Sequence, residues 1–162
     1  MKTVLFIFII SVFTGCYSFT GASVPTHLKT IAIPLFDDQS GSGEPDLREK
    51  LTNKLIDKFR QDNSLTIADK TNSDSILEGT IVAMPDQPQV VAKGETVSKR
   101  RITITVKIAY QDMKLKKKII DKQFSRWGDY DLSSDPTIRQ KAIDDAIDKL
   151  SEDILLETVS GW

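Results

Sequence analysis

The sequence predicts an α+β domain: a two-layer sandwich with two amphipathic helices on one face of a mixed four- to five-stranded sheet. Three observations predict it. Two segments carry apolar residues at helical spacing with a charged opposite face, Leu47, Leu51, Leu55 and Phe59 in one and Ile138 through Leu155 in the other. Residues 101–110 alternate strictly, with Ile102, Ile104, Val106, Ile108 and Tyr110 against Thr103, Thr105, Lys107 and Ala109. Shorter apolar runs bounded by Gly, Pro, Asp and Ser fill the remainder, giving the order β-α-β-β-β-β-α. A sheet with one apolar face and two helices with one apolar stripe each bury most surface when both helices share that face. The other face is then left exposed or held against a partner.

Taken in order, residues 30–36 alternate Ile31, Ile33 and Leu35 and read as the first strand, with Pro34 marking an edge or a strand end. Residues 37–43, DDQSGSG, read as a loop. Glu44-Pro45 is expected to open the first helix, Pro45 in the first turn, and the helix fades near Gln61-Asp62-Asn63. Residues 64–68 form a short strand and 76–84 a longer one, where Gly79 allows a bend or a close backbone approach. Residues 89–96 are a loop or the start of the next strand. After the strand at 101–110, the charged stretch 111–118 makes a turn and 119–127 returns as its hairpin partner, closed by Gly128-Asp129-Tyr130-Asp131. Asp135 caps the last helix and Pro136 takes its first position.

The chain has 162 residues, enough for one core of this kind. Lys and Arg number 22 against 23 Asp and Glu. Residues 1–15 contain one charged side chain, Lys2, so without them the formal charge moves from −1 to −2. That balance supplies no overall field for nucleic acid, which leaves only local basic clusters as anion sites. Two stand out: Lys99-Arg100-Arg101 before the best strand, and Lys116-Lys117-Lys118 at its hairpin turn, with Lys114 close by. Charged turns protect strand edges from pairing. Clustered Arg and Lys also suit phosphate, Arg as a bidentate fork and Lys as a point charge.

The first residues read as an address ending in an anchor. Lys2 is followed by an apolar stretch from Val4 to Phe13, broken only by Ser11. As a helix those ten residues span roughly 15 Å, half of a ~30 Å hydrocarbon core, so they suit export better than permanent residence. Phe13-Thr14-Gly15-Cys16 resembles the bacterial lipobox, with Phe13 where Leu is usual. The small Gly15 fits a signal-peptidase site, and the Cys16 thiol is the nucleophile that accepts a diacylglycerol group. The expected organisation is a lipoprotein signal peptide at 1–15, lipidated Cys16 with a short tether to 29, and the folded domain at 30–162. Two or three acyl chains make attachment effectively permanent, because each buried CH₂ contributes about 0.8 kcal/mol. Tyr17, rather than Asp, follows the cysteine, which by the usual sorting logic points to the outer membrane.

Chemistry is sparse. His27 is the only histidine and reads as a solvated loop residue. Gly41-Ser42-Gly43 lacks the continuation of a phosphate-binding loop, and Asp37-Asp38 read as turn formers. No catalytic residues, metal ligands or cofactor are expected beyond the covalent lipid, and the chain is expected not to be an enzyme.

Several pieces, in order, resemble the LptE family of lipopolysaccharide-assembly lipoproteins: GCYSFTG at 15–21, KTIAIPLF at 29–36, LREKLT at 47–52, LEG at 77–79, KRRITI at 99–104, WGDY at 127–130 and the tail at 153–162. That resemblance implies an α/β sandwich on the periplasmic face of the outer membrane that partners the LptD β-barrel and contacts lipopolysaccharide. Lys99, Arg100, Arg101, Lys116, Lys117 and Lys118 are the candidate contacts it suggests. The chain also resembles periplasmic lipoprotein domains of the CsgG and LpoB type, which share an IAIPLF-like strand, a Ser-Gly loop and a Leu-Glu-Gly strand. That alternative implies secretion or peptidoglycan-synthase activation.

Overall fold

A computed structural model describes residues 24–89, 99–132 and 135–160. The expected signal peptide, Cys16, most of the tether, the loop reading for 90–96 and the last two residues of the tail lie outside them. The elements run β1 (Thr30–Ala32), β2 (Asp37–Asp38), α1 (Leu47–Asp62), β3 (Thr66–Ile67), β4 (Ser75–Ala83), β5 (Asp86–Pro88), β6 (Lys99–Asp112), β7 (Lys117–Asp131) and α2 (Pro136–Ser160). This is the α+β sandwich expected, with more strands than expected. The sheet holds seven, ordered β3–β1–β4–β6 with β7 on the far side of β6. The two extra ones are continuations. β2 follows β1 along β4, and β5 follows β4 along β6.

Proline explains both interruptions. Pro34 ends β1, and the ladder resumes when Asp37 and Asp38 pair in parallel with Thr80 and Ile81. Pro85 separates β4 from β5, yet its carbonyl still accepts the Thr103 N–H at 3.0 Å, so the β6 ladder runs past it. Asp37-Asp38 is therefore a short strand rather than part of a loop: backbone pairing to β4 outweighs the turn preference of the two carboxylates. The turn begins at Asp38, whose Oδ1 accepts the Ser40 N–H and hydroxyl. Gly41 and Gly43 follow, both at positive φ.

Two further expectations are corrected. The first helix starts at Leu47, not in the turn containing Pro45, because Asp46 takes a left-handed conformation (φ 56°) that breaks the helix before it. And 128–131 does not close the hairpin, because β7 runs through it to Asp131. Gly128 lies in register with Ile102, where the α2 backbone comes down onto the strand. A Cβ there would sit 2.0 Å from the Ala142 carbonyl oxygen, so only glycine admits the approach. Gly79 admits the Phe36 ring in the same way. The α1 C-terminus falls where its sequence fades: Asn63 (φ 60°) donates its N–H to the Phe59 carbonyl at 3.0 Å.

Both helices cover one face of the sheet. Leu47, Leu51, Leu55 and Phe59 of α1 and Ile143, Ile147, Leu150 and Ile154 of α2 are buried against the alternating set Ile102, Ile104, Val106, Ile108 and Tyr110. Each such side chain contributes about 1.5–3 kcal/mol when fully removed from water. The helices are tied to each other by ion pairs at their rims, Lys54 to Asp148 at 2.8 Å and Lys58 to Glu152 at 2.8 Å. At the start of α2, Asp135 Oδ1 accepts the Thr137 N–H at 2.9 Å, the cap its sequence predicts.

Candidate functional site

The β6–β7 hairpin separates the two basic clusters. Lys99, Arg100 and Arg101 lie at one end of β6, and Lys116, Lys117 and Lys118 lie at or just past the turn at its other end. A 14-residue strand is roughly 40 Å long, so the six side chains cannot hold one ligand group between them.

Alternation divides the first cluster. Arg100 points to the helix side and serves as structure. Its Nε donates to Asp86 Oδ1 and its Nη2 to the Asp86 carbonyl, both at 2.8 Å. The Tyr130 hydroxyl donates to Asp86 Oδ2 at 2.7 Å, and Arg139 of α2 bridges Asp86 (3.4 Å) and Glu44 (2.7 Å). Asp86 thus joins β5, β6, β7 and α2. Burial works to raise its pKa, but the Tyr130 and Arg100 bonds outweigh it and hold the carboxyl below its ordinary value. Arg101 points to the open face, in register with Asp129, which it grips through Nε and Nη2 at 2.6 and 2.8 Å. Its guanidinium also lies 4.8 Å from the centre of the Trp127 ring. Lys99 is exposed.

The open face carries Thr103, Thr105 and Lys107 of β6 beside Trp127, Ser125 and Gln123 of β7. Trp127 and Leu35 are 41% and 50% exposed, large apolar side chains left facing solvent. A 420 Å³ concavity lined by Leu35, Asp37, Lys70, Glu78, Thr80 and Lys107 lies on this side. On the helix side, Arg126 and Lys122 bind Asp153 and Glu157 of α2.

At the turn, four ionisable groups join the entering chain to the hairpin. His27 is more than a solvated residue, since its Nε2 lies 2.6 Å from Asp112 Oδ2. Asp112 is buried and also accepts the Leu115 N–H at 2.8 Å. Burial alone would raise its pKa, but the His27 and Leu115 hydrogen bonds prevail and lower it. Lys114 donates to Asp74 Oδ1 (2.9 Å) and the His27 carbonyl (2.7 Å), while Asp74 Oδ2 accepts the Lys29 and Thr30 N–H groups. The Lys114 bond and these backbone donors hold the Asp74 carboxyl down to about 2. Lys118 pairs with Asp121 at 2.7 Å; Lys116 and Lys117 pair with no carboxylate among the described residues.

Sequence reasoning missed Asp86, Arg139 and Asp112. A signal existed for Asp112 alone, as an acidic residue at an inward position of the alternating strand. The others become partners only through the tertiary fold. Among the described residues no group of three or more His, Cys, Asp or Glu side chains could hold a metal ion, and no helix is long and apolar enough to cross a membrane.

The fold recurs in solved structures of low identity. A hypothetical protein from Chlamydia trachomatis superposes with a TM-score of 0.61 at 9% identity, covering 80% of this chain and 95% of its own. A protein from Xanthomonas campestris gives 0.59 at 11%, covering 86% and 91%. The rare lipoprotein B from Shewanella oneidensis gives 0.56 at 12%, covering 80% and 92%. No curated protein matches in sequence. Fold and charge distribution together define a two-layer α+β domain with an open sheet face and basic hairpin ends. The family model described as lipopolysaccharide-assembly matches residues 28–158, and the chain belongs to that family, LptE. Of the two resemblances read from the sequence, this is the one the chain carries.

Proposed function

We propose that the chain is an outer-membrane lipoprotein, held on the periplasmic face by acyl chains on Cys16. It binds an LptD-type β-barrel and lipopolysaccharide and assists lipopolysaccharide assembly into the outer membrane, without catalysing a reaction. The observation that carries this reading is the family match across nearly all of the folded domain. The open sheet face supports a partner: its polar floor with Trp127 and Leu35 exposed suits a protein wall better than solvent alone. At the end of the hairpin opposite the turn, Lys99 is exposed and suits a phosphate of lipopolysaccharide, and Arg101 beside it would have to exchange its Asp129 partner for one, whereas Arg100 is held by Asp86 on the helix side.

A tagged chain purified from native membranes should bring down the LptD-type barrel, and its repeated absence would remove the partner. Lys99→Ala with Arg101→Ala should weaken lipopolysaccharide binding in a salt-dependent manner, while Arg100→Ala should act through stability. Equal affinity at low and high salt in the double variant and the parent would remove these two contacts.

A further inference from the structure

The turn between β6 and β7 combines features that a soluble hairpin usually avoids. Its residues 113–116 and the first two of β7, together MKLKKK, contain four lysines, two large apolar side chains and no carboxylate. All six are exposed, Leu115 at 65% more than any other large apolar side chain among the described residues. The turn is not loose. The Met113 N–H donates to the Asp74 carbonyl, the Leu115 N–H to Asp112, and Lys114 ties the turn to Asp74 and His27. A rigid mount therefore holds Met113 and Leu115 out in water, beside the two lysines that pair with nothing among the described residues.

The same turn lies where the chain enters the domain. Pro25 and His27 line one wall of a 390 Å³ groove whose other wall is Leu115, Lys117, Lys118 and Ile119. From Cys16 to Val24 there are eight residue steps, which reach at most about 29 Å. The opposite end of the hairpin lies roughly 40 Å further along β6.

We infer that the β6–β7 turn docks on the leaflet that holds the Cys16 acyl chains: Leu115 and Met113 enter the interface, and Lys116 and Lys117 lie against anionic phospholipid headgroups. Lysine stems suit this position because their carbons follow the apolar side chains while the ammonium groups remain at phosphate level. Surface potential acts only within a Debye length, about 8–10 Å; a tether that reaches at most about 29 Å lets the turn come into that range, and the contacts of the turn itself hold it there. The anchor then fixes location, and the turn fixes orientation, directing the hairpin away from the bilayer. This inference rests on Cys16 being lipidated.

The test uses the full-length processed protein in vesicles. An acylated Cys16 has no free thiol, so Leu115→Cys offers a single position for an environment-sensitive fluorophore, with Asp131→Cys as the distal control. In phosphatidylcholine vesicles containing phosphatidylglycerol, the label at 115 should be quenched by nitroxide lipids and shielded from an aqueous quencher, and the label at 131 should not. Lys116→Ala with Lys117→Ala should lower the ratio of docked to free turn about thirty-fold, that is about 2 kcal/mol at 1.4 kcal/mol per factor of ten. Pure phosphatidylcholine should act similarly, and inorganic phosphate should not compete. Equal aqueous access at 115 and 131 with Cys16 acylated would overturn docking, as would shielding that appears only after lipopolysaccharide is added. Mass spectrometry of the same sample separates the two claims: a bare Cys16 would overturn the anchor, and with it the tether that this orientation depends on.

Discussion

Gly128→Ala places a single methyl group where the structure has no room for it. The new Cβ would lie 2.0 Å from the Ala142 carbonyl oxygen, 2.6 Å from its carbon and 2.8 Å from its Cα. These are backbone atoms within a 25-residue helix, so no side-chain rotation relieves the contact. Reaching an ordinary 3.4 Å requires α2 to lift by more than 1 Å, roughly 1.4 Å. A gap of about 0.5–1 Å already forfeits a quarter to a half of a dispersion contact, so a lift of this size forfeits more of each one beneath it. Ile143, Ala146 and Ile147, all buried, lie next along the lifted face. The cost should therefore fall at the upper end of overpacking, about 3 kcal/mol. At about 4 °C per kcal/mol for a domain of this size, Tm should drop by roughly 12 °C. Gly41→Ala is the internal control. Gly41 also has positive φ but nothing within 4 Å of a new Cβ, so only backbone strain remains, about 1 kcal/mol. Thermal unfolding of both variants by circular dichroism decides the matter. Equal, small shifts would refute the close approach of α2 to β7 and the packing argument built on it.

Three further outcomes follow from the same structure. Asp74 ionises near 2 in the folded chain against an ordinary 3.8, so its stabilisation is complete above about pH 4 and is lost as pH falls through about 2. Asp74→Asn should destabilise at neutral pH and flatten that part of the acid limb in urea titrations; an unchanged limb would contradict the Lys114 and backbone bonds. Leu150→Ala removes a fully buried α2 side chain and should cost about 3 kcal/mol in chemical denaturation, whereas a loss below about 1 kcal/mol would mean that α2 does not seal the core. Cys16→Ser should leave the chain outside the membrane fraction, and wild-type retention would refute the lipid anchor.

How much of this was legible in the sequence depends on which interaction decides each feature. Strand β6 and both helices were readable because side-chain periodicity reports burial directly: Ile102 to Tyr110 alternate inward just as their sequence alternates. The Asp135 cap was readable because it is a local hydrogen bond. Gly128 misled because a glycine that ends a strand and one that admits a helix are the same letter, and the Ala142 backbone is distant in sequence. Asp37-Asp38 misled because parallel pairing with β4 involves backbone atoms alone. The basic candidates were visible as charge, but not the carboxylates that engage them. Arg100 is occupied by Asp86 and Arg101 by Asp129, while Lys116 and Lys117 stand clear of both. Family membership was legible because it rested on ordered segments along the chain, and those between 29 and 130 lie within the residues 28–158 that the family match spans.

The most direct test of the account is controlled depletion of the chain, with lipopolysaccharide at the cell surface and the folding state of the LptD-type barrel measured together. Lipopolysaccharide should be retained short of the outer leaflet and the barrel should accumulate misassembled, with wild-type chain restoring both. Normal surface lipopolysaccharide and a fully assembled barrel after depletion would contradict the assignment.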